Sequence, residues 1–364
     1  MLREAEVVVL GAGVAGLTLA RLLWERGRMV LVVAEALGEA SRPPVALVNP
    51  LRGRRFTLAE EGERALAAAL AFYGRFVPLH LGAFRPVPEE DRPKVAGRLS
   101  RLKHRWEKEG VLLEEAFWLE PRPLLARLAE GLPLLRGRVL AWEPPWLVLE
   151  GGGRVRGEVL VYAGGGRGAH LLGLEGRHVP GLVLTLLDYF PRAVSYRVYL
   201  AGAALGGSYL PGEEGYRLPP PTEGEVEWLL QGAEALVGYR PRVASLWRGV
   251  RFRLSSFLFP VEGGFALTGF GSTGFLYAPL LAERLAERLW TGGVYSGAVL
   301  AGGASRRFGE DKALFVYRGK PLLLWVLESL RGAEERFIVA NRPYVGFGVP
   351  VYPVPFGSGI SIDI

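Results

Sequence analysis

The 364-residue sequence predicts a mixed α/β chain of more than one domain, because apolar strand patterns run into glycine-rich turns at four separate places. These turns lie near residues 11, 164, 269 and 302. A chain of this length exceeds one ordinary domain. Its composition, 49% hydrophobic and 22% charged, is that of a globular protein.

The first turn is the most informative. Glu6–Leu10 reads EVVVL, a continuous apolar strand of the kind buried in a parallel sheet. Gly11-Ala12-Gly13-Val14-Ala15-Gly16 follows, then a helical pattern over Leu17–Arg28 and a second apolar strand at Met29–Ala34. Each glycine has a physical task. Gly11 permits the tight turn, Gly13 lets the backbone approach a pyrophosphate, and Gly16 lets helix and strand pack closely. Val14 and Ala15 open the helix, whose free amides and positive dipole end attract an anion. Strand, turn, helix and strand in this order predict a Rossmann-like dinucleotide-binding unit. An acidic residue closes such a unit on a ribose hydroxyl. Glu35 is the candidate, but Ala34 occupies the strand end, so the offset needs either a small bulge or an adenosine held by other groups.

Composition narrows the chemistry. The chain has no cysteine, which removes disulfides, thiolate metal sites and cysteine nucleophiles. Its four histidines form no pair at helical metal-ligand spacing, so no metal site is expected and an organic cofactor gains ground. The apolar runs are too short for a transmembrane segment, and charge at Leu2–Ala5 stands where a signal peptide would be apolar. A cytoplasmic protein is expected, and the scarcity of methionine, among other biases, suggests a heat-adapted source. The net charge of +7 favours anionic ligands. The densest basic stretch, Arg92–Lys108, carries Val95, Leu99, Leu102 and Trp106 at helical spacing, and reads as a solvated helix face over a core stripe. No nucleic-acid motif accompanies it, so no nucleic-acid partner is expected.

Three segments carry a resemblance. Glu39–Phe56 reads EASRPPVALVNPLRGRRF, Gly157–Gly166 reads GEVLVYAGGG, and Phe265–Leu276 reads FALTGFGSTGFL before a helical run. With the GAGVAG turn, this order resembles the D-amino-acid oxidase-like flavoprotein superfamily, which includes glycine oxidase and sarcosine oxidase. The resemblance implies FAD, placed beside Ala40, Ser41, Arg42 and Asn49. Val139, Ala163 and Gly164 would border the adenine side. Gly271, Ser272, Thr273 and Gly274 would turn a helix tip toward the flavin pyrimidine carbonyl, where the reduced ring carries negative charge. Without cysteine, and without histidine near the matched N-terminal segments, the FAD is expected to be noncovalent. Arg52, Arg54 and Arg55 read either as a solvated basic turn or as phosphate or substrate steering.

The resemblance implies a discontinuous FAD-binding domain (1–75, 137–172 and 260–292) and a β-rich, α+β substrate domain (76–136 and 173–259). In Trp247–Phe252, WRGVRF, Arg251 falls where relatives often clamp a carboxylate, although Phe252 replaces the usual proline and the following acidic residue is absent. Arg251 is therefore either a carboxylate clamp or a structural ion-pairing residue. Tyr209 is either a substrate-facing hydroxyl or a half-buried structural tyrosine. The implied activity is an FAD-dependent oxidoreductase moving a hydride from a small amine or amino acid to flavin N5.

Beyond Gly293, Tyr295–Leu314 reads YSGAVLAGGASRRFGEDKAL and resembles the opening of molybdenum cofactor guanylyltransferase. There Leu300, Ala301, Gly302 and Gly303 would meet a nucleotide base and ribose, and Lys312 would reach its phosphates. Gly319-Lys320-Pro321 and the strand-like Phe337–Asn341 continue the likeness. Residues 295–364 are expected to form a truncated α/β nucleotidyltransferase-like piece. Two alternatives to the oxidoreductase stay open: a nucleotidyltransferase with a flavoprotein fused upstream, and a non-catalytic FAD-binding protein. Oligomeric state is not legible.

Overall fold

In the computed structural model the described residues are 3–53, 56–207, 215–290, 296–302, 309, 311–330, 333 and 335–353. The chain divides into two compact units, Met1–Glu283 and Arg284–Ile364.

Among the described residues the first unit has two large sheets and a two-stranded one of Leu51–Arg52 and Thr57–Leu58. One has eight strands, six of them in the order Val139–Glu143, Trp146–Leu149, Arg154–Tyr162, Glu4–Ala12, Val30–Leu37 and Leu134–Arg136. Gly264–Leu267 pairs with Arg154–Tyr162, and Leu258–Val261 with Gly264–Leu267. The central ladders are parallel, with Val7–Leu10 set against Val159–Tyr162 on one side and Val30–Val33 on the other. Both faces of the opening strand are covered, so Val7, Val8 and Val9 are all buried; the continuous apolar run states this burial directly. The strand at Val30–Leu37 runs three residues beyond the expected Ala34. Its register to the opening strand slips between Leu10↔Val33 and Ala12↔Leu37. Ala34-Glu35-Ala36 thus bulge away at the place where the acidic offset called for a bulge.

The second sheet has seven strands, five in the order Val198–Gly206, Arg177–Tyr196, His80–Pro86, Gly110–Leu119 and Ala46–Val48. Val243–Arg253 adds to Arg177–Tyr196 and His104–Glu107 to Gly110–Leu119. Its core centres on Trp118, Leu113, Ala83 and Leu99. The helix Glu223–Val237 covers a further cluster of Leu182, Leu184, Leu200 and Leu229. That helix opens with a capping box, Thr222 accepting from the Glu225 amide while the Glu225 carboxylate accepts from the Thr222 amide. The sheets do not follow the expected domain boundaries residue for residue. Leu134–Arg136, inside 76–136, extends the first sheet, and Ala46–Val48, inside 1–75, extends the second.

The helix expected across Arg92–Lys108 is shorter. It spans Arg92–Leu99, and His104–Glu107 is a strand antiparallel to Gly110–Leu119. Val95, Leu99 and Leu102 still face the core, which is why the apolar spacing was compatible with a longer helix.

The second unit holds three parallel strands, Ser296–Ala301, Glu335–Ala340 and Val351–Pro353, and the helix Leu322–Ser329. Its core is small: Val299, Leu323, Leu327, Ile338, Ala340 and Tyr344. Among the described residues no helix is long and apolar enough to cross a membrane.

Candidate functional site

A cleft of about 1890 Å³ opens at the carboxyl ends of the parallel strands of the first sheet, with the second sheet forming another wall. Carboxyl ends of parallel strands are where α/β sheets place ligands. Gly11, Gly13, Val14 and Ala15 line the cleft at the end of the opening strand. Gly11 has φ +114°, and a Cβ there would stand 2.4 Å from the Ala163 carbonyl oxygen. Its constraint is therefore the Ala163–Gly164 turn as well as its own torsion. Gly16 lies beneath the surface, where a Cβ would meet the Gly11 carbonyl oxygen at 2.0 Å. That is the close helix–strand approach its type requires.

Ser41 performs a task that sequence position alone did not reveal. Its Oγ accepts from the Val14 amide at 3.1 Å, so the segment after the second strand caps the helix Val14–Glu25 from 27 residues away. Ala40 and Arg42 line the same wall. Asn49 also lines it, and its Oδ1 accepts from the Leu51 amide at 2.9 Å. Glu35 lines the cleft from the bulge and is ion-paired with Arg167 at 3.3 Å. Glu39, close to both, has its carboxyl pKa raised, chiefly by burial, against the opposing pull of Arg167 and with a smaller push from Glu35. Val139, Ala163 and Gly164 line the same region.

The other end of the cleft is made by Gly271, Ser272, Thr273 and Gly274. Gly271 has φ +59°, and the helix Gly274–Trp290 starts directly after. Thr273 Oγ1 donates to the Phe270 carbonyl at 2.8 Å and the Thr273 carbonyl accepts from the Leu276 and Tyr277 amides, so the amides that can meet a ligand at this helix tip are those of Gly274 and Phe275. Gly13 and Thr273, 260 residues apart in the chain, share one cleft. Arg52 stands on the short strand Leu51–Arg52 and lies 5.9 Å over the Tyr277 ring. This segment is held by Arg85, a buried cation that donates to the carbonyls of Leu51 (3.2 Å) and Gly53 (2.7 Å). Burial lowers the Arg85 pKa to about 10.

Arg251 reaches the cleft from the strand Val243–Arg253. Its Nη2 donates to the Pro180 carbonyl at 3.2 Å, and its guanidinium occupies the space a side chain on Gly181 would fill. Arg177, Arg253 and Arg167 also line the cleft and were missed. The signal for Arg253 was available, since residues two apart on a strand share a face. Tyr209, Arg54, Arg55 and Gly303 lie outside the described residues.

In the second unit Leu300 and Ala301 end the strand Ser296–Ala301, and Gly302 follows it. Gly302 has φ +88°, and a Cβ there would stand 2.2 Å from Asn341 Oδ1. Asp311 next to Lys312 accepts from the Tyr344 hydroxyl at 2.9 Å and pairs with Arg342 at 3.3 Å. Burial, then the Asp311 contact, pushes the Tyr344 pKa up to about 12.

Comparison with known proteins gives two family matches: FAD dependent oxidoreductase over residues 6–288, and MobA-like NTP transferase domain over residues 297–362. The tRNA 5-methylaminomethyl-2-thiouridine biosynthesis bifunctional protein MnmC of Maricaulis maris is 30% identical over 321 residues, covering 79% of this chain and 52% of that protein. The chain thus spans about half the length of that relative. A probable molybdenum cofactor guanylyltransferase of Thermococcus kodakarensis is 64% identical over 49 residues, 13% of this chain and 24% of its own. Among solved structures, glycine oxidase from Geobacillus kaustophilus superposes with a TM-score of 0.67 at 18% identity, over 79% of this chain and 95% of that one. L-proline dehydrogenase from P. horikoshii gives 0.67 at 16% identity, over 81% and 95%. At these identities the structures speak for the fold.

Proposed function

Because the chain belongs to the FAD dependent oxidoreductase family, we propose that it oxidises a small amine or amino acid in the cleft between Gly13 and Thr273. The observation that carries the reading is the convergence of two helix tips on one cleft, with Arg251 on the sheet wall beside them. The residues fit a dinucleotide. Gly165, at φ +62°, has nothing within 4 Å of where a Cβ would stand, so the Ala163–Gly166 turn leaves room for a ligand.

The amides of Ala15 and Gly16 would hold the pyrophosphate, with Ser41 on the Val14 amide fixing the helix entry and Arg42 adding positive charge. Glu35, supported by Arg167, would hold the adenosine ribose. Ala40, Asn49, Val139, Ala163 and Gly164 would complete that end, and Gly271–Gly274 would hold the pyrimidine edge of the flavin. FAD, when bound noncovalently, supplies the two-electron acceptor: a hydride leaves the carbon beside the amine nitrogen, and the resulting imine passes to water. The chain's own contribution is orientation and exclusion of water. Arg251, anchored on the Pro180 carbonyl, would grip a substrate carboxylate and fix the carbon that loses hydride.

Purified protein is expected to be yellow, to release FAD on heating, and to bleach anaerobically with an amine from a panel of amino acids and N-methyl amines. The relative named for 5-methylaminomethyl-2-thiouridine adds a nucleoside-borne amine to that panel. Yellow protein that no amine bleaches would favour a non-catalytic FAD-binding protein instead.

The MobA-like domain supports a second reading confined to residues 297–362. Its Leu300–Gly303 turn and Lys312 would bind a nucleotide, and equilibrium dialysis with GTP and Mg²⁺ tests this.

A further inference from the structure

The sheet wall of the cleft carries an arrangement that the amine-oxidising reading does not use. Arg177–Tyr196 and Val243–Arg253 pair antiparallel with Arg177 directly opposite Arg253, Val179 opposite Arg251 and Gly181 opposite Gly249. Directly opposed residues share a face, and so do residues two apart on one strand. All six line the cleft. Two cations therefore stand face to face, an arrangement that destabilises a sheet. Neighbouring arginines are neutralised, Arg167 by Glu35 and Arg248 by Glu225. Among the described residues Arg177 and Arg253 form no ion pair with a carboxylate. A like-charge pair retained at a ligand cleft is a vacancy for an anion.

The position of Arg253 says which anion. Arg253 forms a bridge to Phe270, the Gly271 amide donates to the Phe252 carbonyl at 2.7 Å, and the Leu254 amide donates to the Gly269 carbonyl at 2.9 Å. These bonds lock the strand end to the turn before the helix Gly274–Trp290. The Arg253 stem packs beside Gly271, its Cβ, Cγ and Cδ lying 3.6, 3.7 and 3.8 Å from where a Gly271 Cβ would stand. Arg251 leans the other way, over Gly181. The two arginines thus serve different ends of the wall: Arg251 the open cleft, Arg253 the helix tip.

We propose that Arg253, backed by Arg177, is the counter-charge for the pyrimidine edge of the reduced flavin, acting with the helix tip at Gly271–Gly274. The proposal rests on the reading that this cleft holds FAD. Hydride transfer moves two electrons and one proton from a neutral amine, which becomes a cationic imine, and the ring gains one negative charge. A fixed cation at that edge stabilises the reduced ring relative to the oxidised one, and so raises the midpoint potential.

The test compares R253L, R177L and R253K with the unmodified protein, each reconstituted with FAD. Two readouts are independent of turnover: the midpoint potential from an anaerobic dye titration, and the dissociation constant of sulfite, which adds reversibly to oxidised flavin and leaves the ring anionic. R253L is expected to retain FAD, to bind sulfite at least tenfold more weakly, and to lower the potential by about 30 mV, the tenfold equivalent for a two-electron couple. R177L should move both readouts in the same direction by less, and R253K should restore most of the loss. If R253L does not fold with FAD, R253Q takes its place with the same expected loss of sulfite affinity and potential, and R177L reports independently. Unchanged potential and sulfite affinity in every variant, with a raised KM for dicarboxylic amines only, would assign the pair to a second substrate carboxylate and overturn the proposal. Failure of the unmodified protein to bind FAD would instead sink the reading of the cleft itself.

Discussion

Single residues decide how the cleft is held together. Ser41 is the clearest case, because one hydroxyl joins the segment after the second strand to the first amide of the helix Val14–Glu25. A side-chain cap of this kind contributes about 1 kcal/mol. Ser41→Ala is expected to lower the unfolding free energy by about that amount and to reduce FAD occupancy, read as the ratio of flavin to protein absorbance. Ser41→Thr should keep both. Arg251 belongs to the same scale. Hydrogen bonds to a charged group are worth about 1.5–3 kcal/mol, so Arg251→Leu should raise the KM of an acidic amine by roughly ten- to a hundredfold and leave a neutral amine almost unaffected. Equal effects on both substrates would remove the clamp. Much of this scale was legible. Gly11 and Gly16 sit where their types demand, and Ser41, Arg42 and Asn49 do line the cleft. What Ser41 bonds to was not legible, since a capping contact made 27 residues away leaves no local pattern.

At the scale of elements, the local signals and the long-range ladders part company. Strand, turn and helix at the N-terminus were readable because the chain forms them from neighbours in sequence. The segment after Leu99 was not. Leu102 and Trp106 continue a helical spacing, yet pairing of His104–Glu107 with Gly110–Leu119 turns the chain into a hairpin. A ladder to a neighbouring strand outweighs propensity in a stretch that carries Gly97 and Ser100. The opposition of Arg177 and Arg253 was hidden for the same reason, because it exists only in the register between strands far apart in sequence. One element contact is a stability hinge. Arg248, on the strand Val243–Arg253, pairs with Glu225 in the first turn of the helix Glu223–Val237, and their side chains are only 6% and 8% exposed. Removing one member of a buried pair leaves an uncompensated charge and costs about 3–5 kcal/mol. Arg248→Met should lower the denaturant midpoint accordingly, while Arg248→Met with Glu225→Leu together should recover most of the loss. A single variant as stable as the parent would show that the pair is solvated.

At the scale of the molecule, two units of unequal core share one chain. Among the described residues, the clusters of buried side chains in Met1–Glu283 are larger than the one in Arg284–Ile364. Calorimetry with rising FAD should shift the transition of the larger unit, by about 2.7 kcal/mol when free FAD reaches a hundred times its dissociation constant. The smaller unit's transition should respond to GTP with Mg²⁺ and ignore FAD. One transition moved equally by both ligands would contradict independent sites. The placement of Gly13 and Thr273 in the same cleft also sets a timetable for biosynthesis. A ribosome releases the first glycine turn long before the helix at Gly274–Trp290 exists, so the nascent chain has no complete seat for its prosthetic group. The chain must hold itself together while the 260 residues from Gly13 to Thr273 emerge, and only then is the seat complete enough for cofactor uptake to protect it.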